Sequence, residues 1–189
     1  MIILQISQKY FKNKLFWTIV SIVYILIIVS ISYIALNSKE FLSLDMGLIN
    51  EKKVSFMYVF SNNIFLMFKN ILFGFLTFGV YSLFSISQNV LTLGIISNSL
   101  IHEGYSILFY KMIPHGLFEL LGLAISLSII IFCYYKILLN IPKVVKKDIN
   151  LKDLFFDIIN YINSILIIEF FLFGIAGIIE VLISQIKFL

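Results

Sequence analysis

His115 and Glu119 are four residues apart, which sets an imidazole and a carboxylate on one face of a helix. They stand about one turn inside an apolar run that continues to Tyr135. Such a pair can move a proton, bind a cation, pin a partner, or simply clasp one helix to another. Pro114 precedes them and suits the first turn of a helix, where its missing N–H costs nothing, so a helix is expected to begin there. A carboxylate at that depth is expensive in lipid and is expected to face protein or water. Glu169 and Glu180 are the other deep acids. Eleven residues make almost three turns, so the two point the same way, roughly 16 Å apart, with Phe173 and Ala176 or Gly177 between them. They form either a line of acids along a polar groove or members of pairs with helix-borne amides such as Asn63, Asn70 or Asn89.

Covalent and metal chemistry find little support. No serine, cysteine or second histidine is placed to complete a nucleophile set around His115, so no catalytic residue is assigned and the chain is not expected to be an enzyme. Cys133 is the single cysteine, and His102 and His115 are the only histidines. They are too few for a conventional zinc site. There is no phosphate-binding glycine loop, and no cofactor is expected.

The elements that must hold these residues are membrane spans. Of 189 residues, 61% are hydrophobic and 13% charged, with a mean hydropathy of +1.05. A soluble domain carries roughly a quarter charged residues, and these apolar runs are too long for a soluble core. All fourteen basic residues are lysines, an excess of net +4 placed in short loops. That distribution speaks to membrane topology and excludes a nucleic-acid face.

The fold class read from the pattern is all-α, one polytopic transmembrane bundle of about five spans. They are expected at 15–36, 71–86, 88–100, 114–135 and 158–183. The stretch 88–100 is either a short span or a re-entrant segment. Residues 54–70, interrupted by Asn62-Asn63 and Lys69, read as an interfacial helix. Residues 1–14 form a basic lead, and the first span is too long for a signal-peptide core, so it is expected to be retained. Polar loops are expected at 37–53 and 101–112.

Within the spans, Asn63 and Asn70 share a face and suit hydrogen bonding between helices. Gly74 and Gly79, with Thr77, allow close backbone approach, as do Gly94, Gly116, Gly174 and Gly177. Asn89 with Gly94 reads as a helix break and restart. Lys143, Lys146 and Lys147 form a positive-inside anchor that also suits anionic lipid headgroups. The basic segments before the first span and after the fourth agree only if four spans separate them. The expected orientation is therefore a cytoplasmic N-terminus and an outer C-terminus, which puts His115 and Glu119 toward the outer face.

The order of these elements resembles the stage II sporulation protein M family. Asn62-Asn63 precede the span with Gly74 and Gly79; Asn89 and Gly94 follow. Then come Pro114-His115-Gly116 with Phe118-Glu119, the most specific piece, and last Glu180. The similarity covers roughly residues 55 to 183. It implies a five-span integral membrane protein of the cell membrane without known enzymatic activity. It also implies a scaffold or assembly role in a cell-envelope or sporulation complex. Relatives also occur beside ABC transporters and in gene sets for circular bacteriocins, which makes a transport, export or immunity component the alternative. The partners implied are other membrane proteins, among them a second copy or an ABC transporter.

Overall fold

The computed structural model describes residues 13–37, 55–103 and 106–184, with side chains described outside 99–113 and 184. Five helices make up the described chain: α1 Lys14–Asn37, α2 Phe56–Leu76, α3 Val80–Glu103, α4 Ser106–Val145 and α5 Leu151–Ser184. Each contains a stretch long and apolar enough to cross a membrane. The expected lead at 1–14 and loop at 37–53 lie almost wholly outside the described residues.

The count of five agrees with the sequence, but the division between residues 54 and 112 differs. Residues 54–70 and 71–86 were expected as an interfacial helix followed by a span. Instead one helix runs from Phe56 to Leu76, and the chain reverses at Thr77, Phe78 and Gly79. Phe78 and Gly79 both take positive φ, 53° and 92°, and the Gly79 N–H donates to the Gly74 carbonyl at 2.7 Å. Left-handed backbone after a last helical turn is how a helix end satisfies its orphan carbonyls. Thr77 joins both helices: its hydroxyl donates to the Phe73 carbonyl and accepts the Tyr81 N–H. Gly79 is thus a turn residue and not a packing glycine.

Two further expectations are corrected. The helix does not break at Asn89 and Gly94; α3 runs through both. The Asn89 amide donates to the Ser85 carbonyl one turn back, so its polarity is spent on its own helix. Nor does α4 start at Pro114. It begins at Ser106 and carries Pro114 and Pro142 inside it, and residues 101–103 and 106–112, expected as loop, are helical. Proline is tolerated within membrane helices where neighbours re-satisfy the freed backbone group.

α4 is the centre of the bundle and touches all four other helices. In its most apolar stretch 72% of residues are buried, against 17–28% in the other spans. Leu120, Leu123 and Leu127 pack with Ile27 of α1 and Ile86 and Val90 of α3. Ile125, Ile129 and Phe132 pack with Met67 of α2 and Tyr161, Ile165 and Phe173 of α5. Large apolar side chains cover the outside, as lipid contact requires: Leu26 and Val29 on α1, Phe65 and Leu72 on α2, Phe171 and Ile178 on α5. Since lipid is as apolar as leucine, close packing and polar contacts must hold the helices together. The glycines supply the closeness. A Cβ at Gly94 would lie 2.6 Å from Ile34 of α1, one at Gly116 3.2 Å from Leu93 of α3, and one at Gly177 3.3 Å from Phe56 of α2. At Gly74 it would collide with Ile130 and Ser82, whereas Gly174 has room.

Candidate functional site

α4 and α5 are antiparallel, and their seam carries polar residues at three levels. At one end Glu119 of α4 and Glu180 of α5, both partly buried, are within electrostatic reach of each other. Next, Gly122 lies flat against Phe173: a Cβ there would sit 2.7 Å from the ring. One turn on, the Ser126 hydroxyl donates to Oε1 of Glu169, with both residues fully buried. Phe132 and Tyr161 follow, with ring centroids 4.7 Å apart. The basic end is closed by Lys136 and Asp157, Nζ to Oδ2 2.7 Å.

The middle level extends to a third helix. α2 runs antiparallel to α5, since Phe56 lies beside Gly177 and Phe60 beside Phe170, so α2 is parallel to α4. Gly74 packs against Ile130; one turn earlier on both helices, Asn70 is level with Ser126. Asn70 is 1% exposed, and neither atom of its amide has a hydrogen-bond partner. Its backbone carbonyl accepts from Ser82 of α3 at 2.9 Å. Oε2 of Glu169 also has no hydrogen-bond partner. A carboxylate oxygen and a whole amide are therefore left without a hydrogen-bond partner from the chain at about the same depth. Each such group is costly without a partner.

The expected site residues fall into three sets. The first is at the seam: Glu119, Glu169 and Glu180. Glu169, Phe173 and Ala176 are buried on one face of α5, as the eleven-residue spacing requires. The partner of Glu169 is Ser126, and not Asn63, Asn70 or Asn89. The second set flanks the seam: His115 is partly buried one turn before Glu119, and Asn63 is buried on α2 on the same stripe as Asn70. The third is elsewhere: Asn89 on α3, and Lys143, Lys146 and Lys147, exposed at the end of α4 and the turn after it. His102 lies outside the described side chains. Among the described residues, no three His, Cys, Asp or Glu gather as metal ligands would. Gly122 and Ser126 went unassigned in the sequence, although their four-residue spacing is the small-xxx-small signal of a close helix contact.

Residues 14–185 match the profile of the family described as Stage II sporulation protein M. The chain belongs to this family. The match takes in α1 as well, further than the resemblance from residue 55 onward, and so covers nearly every described element. Membership in the stage II sporulation protein M family and five apolar helices together make this a multi-pass membrane protein. No match was found among curated proteins or among solved structures.

Proposed function

We propose that this member of the stage II sporulation protein M family is a non-enzymatic scaffold subunit of a membrane assembly in the cell envelope. A sporulation complex or a bacteriocin-related complex is the setting. The observation that carries this reading is the use made of polarity at the α4–α5 seam. Ser126 is spent on Glu169, and Lys136 on Asp157, each across two helices. Polar groups used this way fix helices in place. What remains for others is a wide apolar exterior on α1, α2, α3 and α5, fit for partner helices, including those of a second copy or an ABC transporter. Gly74, Gly94, Gly116, Gly122 and Gly177 are already occupied by helices of the same chain. Lysine placement puts the N-terminus and the α4–α5 turn in the cytoplasm and the C-terminus outside. His115 and Glu119 then mark the outer end of the seam. Crosslinking in native membranes tests this: photo-crosslinkers at Leu26, Phe65 and Phe171 should capture discrete partner bands. Capture of lipid alone at all three positions would defeat the scaffold reading.

A second reading is a transport component, favoured by the unpartnered Glu169 Oε2 and Asn70 amide, which suit a passing proton or ion. Proteoliposomes separate the two. Ion or proton flux abolished by Glu169→Gln and Glu180→Gln supports transport; no flux above empty liposomes supports the scaffold.

A further inference from the structure

α4 is too long for a bilayer. Its segment Pro114–Val145 alone has 32 residues, roughly 48 Å at helical rise, whereas the hydrocarbon core is roughly 30 Å thick. The Lys136–Asp157 pair, partly exposed on both sides, suits the inner edge of that core. Beyond it α4 and α5 continue as a helical hairpin at headgroup depth. This tip should be polar, yet it holds an apolar groove of about 670 Å³. Its walls are two pairs spaced one turn apart, Ile141 and Val145 on α4 and Leu151 and Phe155 on α5, all exposed. Its floor is Leu154 and Ile158, which are buried. Lys152 lines it, and three more exposed lysines, Lys143, Lys146 and Lys147, stand on the same tip at the end of α4 and in the turn. Only Asp148 and Asp153 oppose them in this tip.

We propose that the groove between the protruding ends of α4 and α5 binds an anionic phospholipid of the cytoplasmic leaflet, acyl chain between the helices and phosphate at Lys152, in the positive field of the other lysines of the tip. Depth, apolar lining and charge all select this occupant. A cleft walled and floored by apolar side chains, with Asn150 and Lys152 as its polar lining, takes an acyl chain at little desolvation cost, and the lysine excess of the tip favours a negative headgroup over a zwitterionic one. The bound lipid fills a cleft that the two helices leave open beneath their ion pair.

Native mass spectrometry of the full chain in detergent, titrated with phosphatidylglycerol or phosphatidylcholine, tests the proposal. The wild type should retain phosphatidylglycerol at least tenfold more tightly. Each lysine near an anionic surface contributes roughly fivefold, so the Lys→Gln variant at 143, 146, 147 and 152 should fall to the phosphatidylcholine level. The Lys→Arg variant at the same positions, which keeps the charge, should hold the lipid as the wild type does. Val145→Trp, which fills the groove at an exposed position, should weaken both lipids. Equal retention of the two lipids by the wild type overturns the proposal. So does unchanged retention by either the Gln or the Trp variant. A dimer that the Trp variant abolishes would give the groove to a second copy. Displacement of phosphatidylglycerol by a Glu-rich amphipathic peptide would give it to an acidic helix. Either result overturns the lipid assignment.

Discussion

Two antiparallel helix pairs in this bundle are fastened by different means. α4 and α5 are held through side chains that reach across, Ser126 to Glu169 and Lys136 to Asp157, with Gly122 flat against Phe173 between them. α2 and α3 are held through the backbone. Their three-residue turn closes with Gly79 N–H on the Gly74 carbonyl, and Ser82 donates to the Asn70 carbonyl. Three polar side chains in the middle of α3 turn back on their own helix: Ser87 to the Leu83 carbonyl, Asn89 to that of Ser85, Thr92 to that of Gln88. A polar residue in an apolar run thus has two opposite meanings. Ser126 and Lys136 mark rungs between helices; Ser87, Asn89 and Thr92 mark nothing beyond their own turn.

The largest effect should come from closing the tightest contact on the α4–α5 side. Gly122→Val puts branched carbon where the Phe173 ring already sits, and overpacking of this kind costs about 3 kcal/mol. SDS titration from dodecylmaltoside measures it. Gly174→Val on α5 is the control, since its nearest neighbour is Phe60 at 3.7 Å; it should cost under about 1 kcal/mol. Equal costs would show that the seam is not the rigid part of the bundle.

Next is the rung itself. Ser126→Ala leaves Oε1 of a fully buried Glu169 without its donor, at a cost of about 2 kcal/mol in the same titration. Ser126→Ala with Glu169→Leu removes both ends and should recover most of that loss, because an apolar replacement leaves no group unsatisfied. If the double variant is as unstable as Ser126→Ala, Glu169 has another partner that matters more. On the other pair, the backbone device gives the comparable test. Gly79→Ala forces a side chain into φ 92° and should cost about 1 kcal/mol. Phe78→Gly relieves the same strain next door and should offset part of it, raising the unfolding midpoint.

What the sequence could reveal follows the same division. Five spans were legible because a bilayer demands apolar length and the chain supplies it five times. The depth and shared face of Glu169 and Glu180 were legible from helical period. Their partners were not, because Ser126 lies 43 residues from Glu169, and only packing brings them together. The reversal at Thr77–Gly79 was hidden because its other left-handed residue is Phe78, a type that rarely adopts such backbone. Asn89 looked like a stronger break, since amides usually end apolar runs; the structure keeps it in helix by bonding it to the Ser85 carbonyl. Pro114 misled for a related reason: a membrane helix continues through a proline that would end a soluble one.

The smallest predicted effect is the sharpest check on that difference. Asn89→Leu removes an amide whose bond is to the Ser85 carbonyl, a group already held in the ladder of α3. The position is half-buried on α3, and leucine is the better helix former there. The unfolding midpoint should move by no more than about 0.5 kcal/mol in either direction. Asn98→Leu, on the same helix, is the counterpart, because its amide leaves α3 and donates to the Ala35 carbonyl of α1 at 2.6 Å. It should cost about 1 kcal/mol or more. The two asparagines are nine residues apart and identical in type. They differ in where the side chain goes, back on its own helix or across to another, and in burial, with Asn98 the more buried. Equal losses would mean that Asn89 also reaches a neighbour, and that its own-helix bond does not set it apart from the rungs.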